Sequence, residues 1–271
     1  MKILLNNQVL RDSLRPYNDV GFIPTMGGIH NGHISLIKHS KKNCKKTIVS
    51  IFINPKQFDN IKDYKTYPSN LNKDLSILRK TKNVDFVYVP KYEDIYSSKR
   101  KTKIVIKKKD KILCAKFRRG HFEGVLDVMD RMTNLIKPKK IFMGKKDFQQ
   151  LFLVKNFIKK IYGTKIIACE TIRNKKKLAL STRNNLLTKK QQNKASNIIS
   201  KLFIIKKNLK NKKNINKILL EEKILIEKNY NVSIEYLEFR NIKNLFISNK
   251  FSQSKIFIAY YIGGVRLIDN F

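Results

Sequence analysis

Apolar residues in the first two thirds of the chain fall alternately into short continuous runs and into stripes at helical spacing. Val20–Pro24, "KTIVSIFIN", "VDFVYVP", "KIFMG" and "TKIIACE" are continuous runs of strand length. Between them, His33–Asn43, "SNLNKDLSILRK", "HFEGVLDVMDRMTNLIK" and "DFQQLFLVKNFIKKIYG" carry the helical period, with Leu71, Leu75 and Leu78 expected on one face of the second. The third stops before Pro138 and the fourth at Gly163, both ordinary helix-ending signals. Continuous strands separated by helices of this length predict a parallel sheet covered on both faces. The expected fold class is α/β, a doubly wound, Rossmann-like parallel sheet over residues 1–185.

Past Arg183 the texture changes. "LTKKQQNKASNIISKLFIIKKNLK" and "INKILLEEKILIEKNY" read as two helices. "VSIEYLEFRN" reads as a strand, and "SKIFIAYYIGGVRLIDN" as one more, bent at Gly263–Gly264. Residues 186–271 are expected to form a smaller α+β C-terminal domain acting as a lid.

The 271 residues are 42% hydrophobic and 10% aromatic, ample for a packed core. Apolar runs are too short and too often broken by Lys or Asn to span a membrane. The N-terminus lacks a sustained apolar region and a small-residue cleavage site, so no secretory leader is expected. Cys44, Cys114 and Cys169 are odd in number and widely spaced, which suggests reduced thiols and a cytoplasmic setting. The formal charge of +39 raises nucleic acid as a partner. Lysine is spread over the whole length, however, and the densest runs, near Lys99–Lys111 and Lys206–Lys217, do not interleave aromatics as a stacking platform would. The charge therefore reads as solvated surface, with neither a specific nucleic acid nor a membrane as partner.

The chemistry concentrates where strands hand over to helices. In "GFIPTMGGIHNGHISLIKHS" a strand breaks into Gly27, Gly28, His30, Gly32 and His33 as a helix begins. In an open parallel sheet this is where ligands collect, and a helix N-terminus suits phosphate. His30 and His33, three apart, project to one side and can donate to a phosphate whose charge builds during transfer. HxGH of this kind points to nucleotidyl transfer from ATP, leaving open whether a carboxylate or a phosphate ester is adenylylated. "VSIFINPKQF" brings the amides of Asn54 and Gln57 to a strand end. "FMGKKDFQQ" brings Gly144, Lys146, Asp147 and Gln150, with Lys146 suited to phosphate oxygens. "LALSTRNNLL" offers Ser181, Thr182 and Arg183 as a clamp on departing pyrophosphate.

Taken in order, PTMGGIHNGH, VSIFINPKQF, GHFEGVLDVMDRM, FMGKKDFQQ and LALSTRNNLL, with IEYLEFRNI and GGVRLIDN further on, closely resemble the pantothenate synthetase (pantoate–β-alanine ligase) family. The resemblance implies ATP-dependent joining of pantoate and β-alanine through a pantoyl adenylate, in a homodimer, with magnesium travelling on the ATP phosphates. It implies ATP contacts from Met26, Gly27, Gly28 and Ile29, and from His30, Asn31, Gly32 and His33. Further nucleotide contacts are implied at Gly144, Lys145, Lys146 and Asp147, at Ile172, and at Leu180, Ser181, Thr182 and Arg183. His33, His30, Lys146 and Arg183 would be catalytic. Gln57 would touch both pantoate and β-alanine, Gln150 would hold pantoate, Asn54 and Tyr67 would line its pocket, and Asp74 is the candidate magnesium ligand. The chain departs from the family pattern at Lys145, usually Glu, at Thr182, usually Ser, and at Lys176–Lys177, usually an acidic residue and glycine.

Overall fold

The computed structural model describes residues 1–97 and 104–271, so the basic run near Lys99–Lys111 lies partly outside the described residues. The chain forms two compact units, one of residues 1–108 and 118–171, the other of residues 109–117 and 172–271.

The first unit is the expected parallel sheet. Its strands are β1 (Lys2–Leu4), β2 (Val20–Thr25), β3 (Lys46–Ile51), β4 (Phe86–Tyr88), β5 (Lys140–Gly144) and β6 (Lys165–Cys169), in the spatial order β1-β4-β3-β2-β5-β6. All pair in parallel. Ile23, Ile48, Val49, Val87, Ile141 and Phe142 are fully buried, which explains why their strands read as unbroken apolar runs. Strand β1 and the helix Asn7–Leu14 are additional to the expected elements, because three residues are too few to show a period. In the helix Leu71–Thr81, Leu75 and Leu78 face the core but Leu71 is 41% exposed. The inward position one turn along is taken instead by Asp74, only 2% exposed. No helix among the described residues is long and apolar enough to cross a membrane.

The second unit carries a three-stranded antiparallel sheet, β7 (Ser233–Asn241), β8 (Ser254–Ile262) and β9 (Val265–Asn270), in that order. Helices Lys189–Asn208 and Ile215–Tyr230 bury Ile198, Leu202, Leu219 and Ile226 in one cluster with Phe239, Ile256 and Ile258 of the sheet. "SKIFIAYYIGGVRLIDN" is a hairpin, not one bent strand. Gly263 and Gly264 have φ of 55° and 76°, and Ile262 pairs with Val265 across them. Two consecutive left-handed residues reverse a strand tightly, and glycine takes that backbone without cost to a side chain. Residues 172–185, expected with the first domain, belong to this unit. The Arg173 guanidinium donates to both carboxylate oxygens of Asp269 at 2.6 and 2.7 Å, and Leu178 joins the apolar cluster. The segment 109–117 belongs here too, through Cys114, whose Sγ lies 3.0 Å from the Tyr236 hydroxyl. Cys44, Cys114 and Cys169 are all free and buried.

Candidate active site

From β2 the chain runs outward through β3 to β4, then returns to lay β5 on the other flank of β2. The topological switch point therefore lies between β2 and β5, and the loops leaving their carboxyl ends form the natural ligand cleft of the first unit. Those loops are residues 26–30 and the turn Lys145–Asp147.

The first loop is braced from below. The Thr25 hydroxyl donates to the Ser50 carbonyl at 2.6 Å and accepts the Gly27 N–H at 3.2 Å. Gly27 and Gly28 sit at φ of 83° and 64°, left-handed geometry that turns successive N–H groups to one side. Asp74, 46 residues away, accepts the Gly28 N–H and the Ile29 N–H, both at 2.8 Å. A Cβ on Gly27 would come within 2.8 Å of that carboxylate. Asp74, the magnesium candidate, thus has each oxygen committed to the loop backbone. Among the described residues no group of three or more His, Cys, Asp or Glu stands together as a metal cage.

The loop ends in the helix Asn31–Asn43, capped by the histidines themselves. His30 Nδ1 accepts the Gly32 N–H at 3.0 Å, and His33 Nδ1 reaches back to the His30 N–H at 3.4 Å. Their rings stack with centroids 4.1 Å apart and 28° between planes. Gly32 makes this possible by leaving room for the His30 ring, since a Cβ there would stand 2.7 Å from Cε1. Because each Nδ1 accepts, each neutral ring carries its proton on Nε2. Burial first, then the Lys146 ammonium, lowers the His30 pKa to about 4. Burial first, then His30, lowers that of His33 to about 3, with Lys146 adding and Asp147 opposing. At neutral pH the pair consists of uncharged N–H donors. The cation beside it is Lys146, whose Nζ lies 3.5 Å from the half-exposed Asp147 carboxylate.

His30, His33, Lys146 and Asp147 are thus brought together. Arg183 belongs to the second unit, where Ser181 Oγ accepts its N–H at 3.3 Å and Thr182 is buried. Ile172 and Leu180 pair there through a backbone hydrogen bond of 2.9 Å. The unusual lysines are engaged locally. Lys145 pairs with Glu170, and Lys176 donates to Asn193 Oδ1 at 2.9 Å.

On the β3 side, Gln57 is half-buried and its Nε2 lies 2.8 Å from Met26 Sδ, joining it to the glycine loop. Asn54, expected to line a pocket, is 1% exposed and stands behind Gln57 with both ends of its amide engaged. Tyr67 packs edge-on against Phe58, ring centroids 5.7 Å apart. Gln150 lies in the first turn of the helix Phe148–Tyr162 that follows β5. The sequence reading does not single out His121, whose Nδ1 is 2.6 Å from the Gln57 carbonyl, or Tyr96, whose hydroxyl donates to Asn54. Each partner pair is tens of residues apart, so no local pattern announces it.

The profile of the family described as pantoate–beta-alanine ligase matches residues 2–271. A pantothenate synthetase from Francisella tularensis subsp. mediasiatica is 39% identical over 97% of this chain and 92% of its own length. One from Sulfurihydrogenibium sp. is 36% identical over 93% and 91%. Among solved structures, the pantoate–beta-alanine ligase of Francisella tularensis, complexed with beta-gamma ATP and beta-alanine, superposes with a TM-score of 0.85 at 36% identity, covering 100% of this chain and 97% of its own. The pantothenate synthetase of Thermus thermophilus gives 0.87 at 27% identity, covering 100% and 99%.

Proposed function

This chain belongs to the pantoate–beta-alanine ligase family and is an ATP-dependent ligase of pantoate and β-alanine, and from that premise we propose how its own residues carry the reaction. In the first step the pantoate carboxylate attacks the α-phosphorus of ATP. A carboxylate O–P bond forms, the bond to the β-phosphate oxygen breaks, and pyrophosphate leaves. In the second step the neutral amine of β-alanine attacks the acyl carbon of pantoyl adenylate and expels AMP. The protein need supply no nucleophile. Its work is alignment and stabilisation of charge on the α-phosphate and leaving group.

The observation that carries this reading is the stacked, neutral pair His30 and His33 on a helix N-terminus beside Lys146. Nε2–H donors fixed by their own Nδ1 bonds need no reorganisation as negative charge accumulates, which is where preorganised donors act most strongly. Lys146 supplies a point charge, and the N–H groups of residues 27–29 and the helix end add fixed dipoles. Magnesium carried on the ATP phosphates would add positive charge at the reacting end of the nucleotide. Gln57 and Gln150 are assigned to the organic acids. Ser181 and Arg183 are assigned to the departing pyrophosphate. The family resemblance supports a homodimer, and the free, widely spaced cysteines support a cytoplasmic setting.

ATP–pyrophosphate exchange tests the scheme. Exchange should require pantoate, ignore phosphopantetheine and proceed without β-alanine, while AMP release should require β-alanine. A folded His33→Ala variant should lose about 10²–10³ in turnover. Wild-type turnover in that variant would overturn the assignment.

A further inference from the structure

Behind Gln57 a chain of side-chain hydrogen bonds has only one self-consistent direction. The Asn54 amide is oriented by two main-chain groups. Its Oδ1 accepts the Lys56 N–H at 3.2 Å, and its Nδ2 donates to the Gly124 carbonyl at 3.1 Å. A backbone N–H can only donate and a carbonyl can only accept, so the flip of this amide is determined. Its Nδ2 then faces Gln57 Oε1 at 3.2 Å, which leaves the Gln57 NH₂ turned the other way, toward Met26 Sδ. An amide held like this offers N–H, not C=O, to a ligand. That is the polarity that suits a carboxylate or hydroxyl oxygen.

The other partner of Asn54 Oδ1 is the Tyr96 hydroxyl, at 2.8 Å. Burial pushes the phenol pKa well above its usual value, so the group stays a donor across the working range. The ring is clamped. Lys56 Nζ stands 3.8 Å from its centroid and the Arg131 guanidinium carbon 4.9 Å. Arg131 is in turn fixed by Asp127 at 2.8 Å and by the Ile95 carbonyl at 3.1 Å. Cation–π contacts on this scale hold the ring whether or not it carries a hydroxyl.

We propose that Tyr96 is a positioning residue for acid recognition: its hydroxyl holds Asn54, and Asn54 holds Gln57 with its N–H groups toward the organic acid substrate. The inference rests on the reading that Gln57 contacts the acids. The relay runs through three residues, with Tyr96 acting only through Asn54 and Gln57.

The test is Tyr96→Phe, which keeps the clamped ring and removes only the donor. KM for pantoate and for β-alanine should rise about fivefold to tenfold, the loss expected of one neutral hydrogen bond, with kcat and the KM for ATP unchanged. In a Gln57→Ala background, itself impaired in acid KM, the same substitution should cost nothing further. An unchanged acid KM, a parallel rise in the KM for ATP, or an additive loss in the Gln57→Ala background would each overturn the relay. If Gln57→Ala alone left acid KM unchanged, the assignment of Gln57 would fall, and the relay with it. Impairment by Gln57→Ala without impairment by Tyr96→Phe would remove the relay alone.

Discussion

The carboxylate of Asp74 accepts the Gly28 N–H at 2.8 Å across 46 residues of sequence. It accepts the Ile29 N–H at the same distance, so one buried side chain shapes the loop expected to meet ATP. Asp74→Ala leaves both amides without this acceptor, in a place water reaches poorly. Hydrogen bonds to charged groups are worth more than neutral ones, and stability should fall by about 2–3 kcal/mol. The KM for ATP should rise more than that for either acid. Chemical denaturation and initial-rate kinetics check the two parts.

Gly32→Ala separates folding from catalysis. The new Cβ meets only the His30 ring, 2.7 Å from Cε1, and φ at this position is not left-handed. Alanine is well tolerated in a helix, so thermal stability should stay within about 1 kcal/mol of wild type. The ring must leave the stack, and turnover should fall by about tenfold or more, because a misplaced donor loses most of its value. Steady-state assays beside a melting curve decide this.

The histidine pair should make the protein acid-sensitive. Folded pKa values of about 4 and about 3 lie below the ordinary 6.5. As pH falls below 6.5 the unfolded chain takes up protons that the folded chain refuses, so stability drops between 6.5 and the folded values. A His30→Asn/His33→Gln double variant should show a shallower loss of melting temperature from about pH 7 to about pH 4.5 than wild type. Asparagine keeps an acceptor at the helix cap, which limits other effects.

Gly124→Ala probes the support of Gln57. A Cβ there would stand 2.0 Å from the Lys56 carbonyl oxygen, a backbone atom that cannot swing aside. The helix His121–Ile136 must move away from 54–57, loosening the Asn54–Gly124 bond. A stability loss of about 1–3 kcal/mol is expected from such overpacking. The KM for both acids should rise while that for ATP changes less. Calorimetry and substrate-varied kinetics measure both.

The alternation of strand and helix is legible because burial on both sheet faces demands unbroken apolar runs, and β2, β3 and β5 supply them. The motif residues His30, His33 and Lys146 are legible because each follows a strand end within eight positions. Gly263–Gly264 is ambiguous because a bend and a hairpin use the same glycines, and only β8 pairing with β9 distinguishes them. Leu71 fits the stripe yet points to water, since a helical period says nothing of where the core ends.

Local pattern was enough to establish most of the element types and the parallel sheet, all properties of neighbours within a turn or two. It took the packed chain to show that Asp74 braces the glycine loop, that Asn54 stands behind Gln57, and that both histidines are neutral with their protons on Nε2. Those outcomes depend on burial and on hydrogen-bond partners tens of residues away. The energy of a polar group is set by what surrounds it, and a stretch of neighbouring residues does not contain that information.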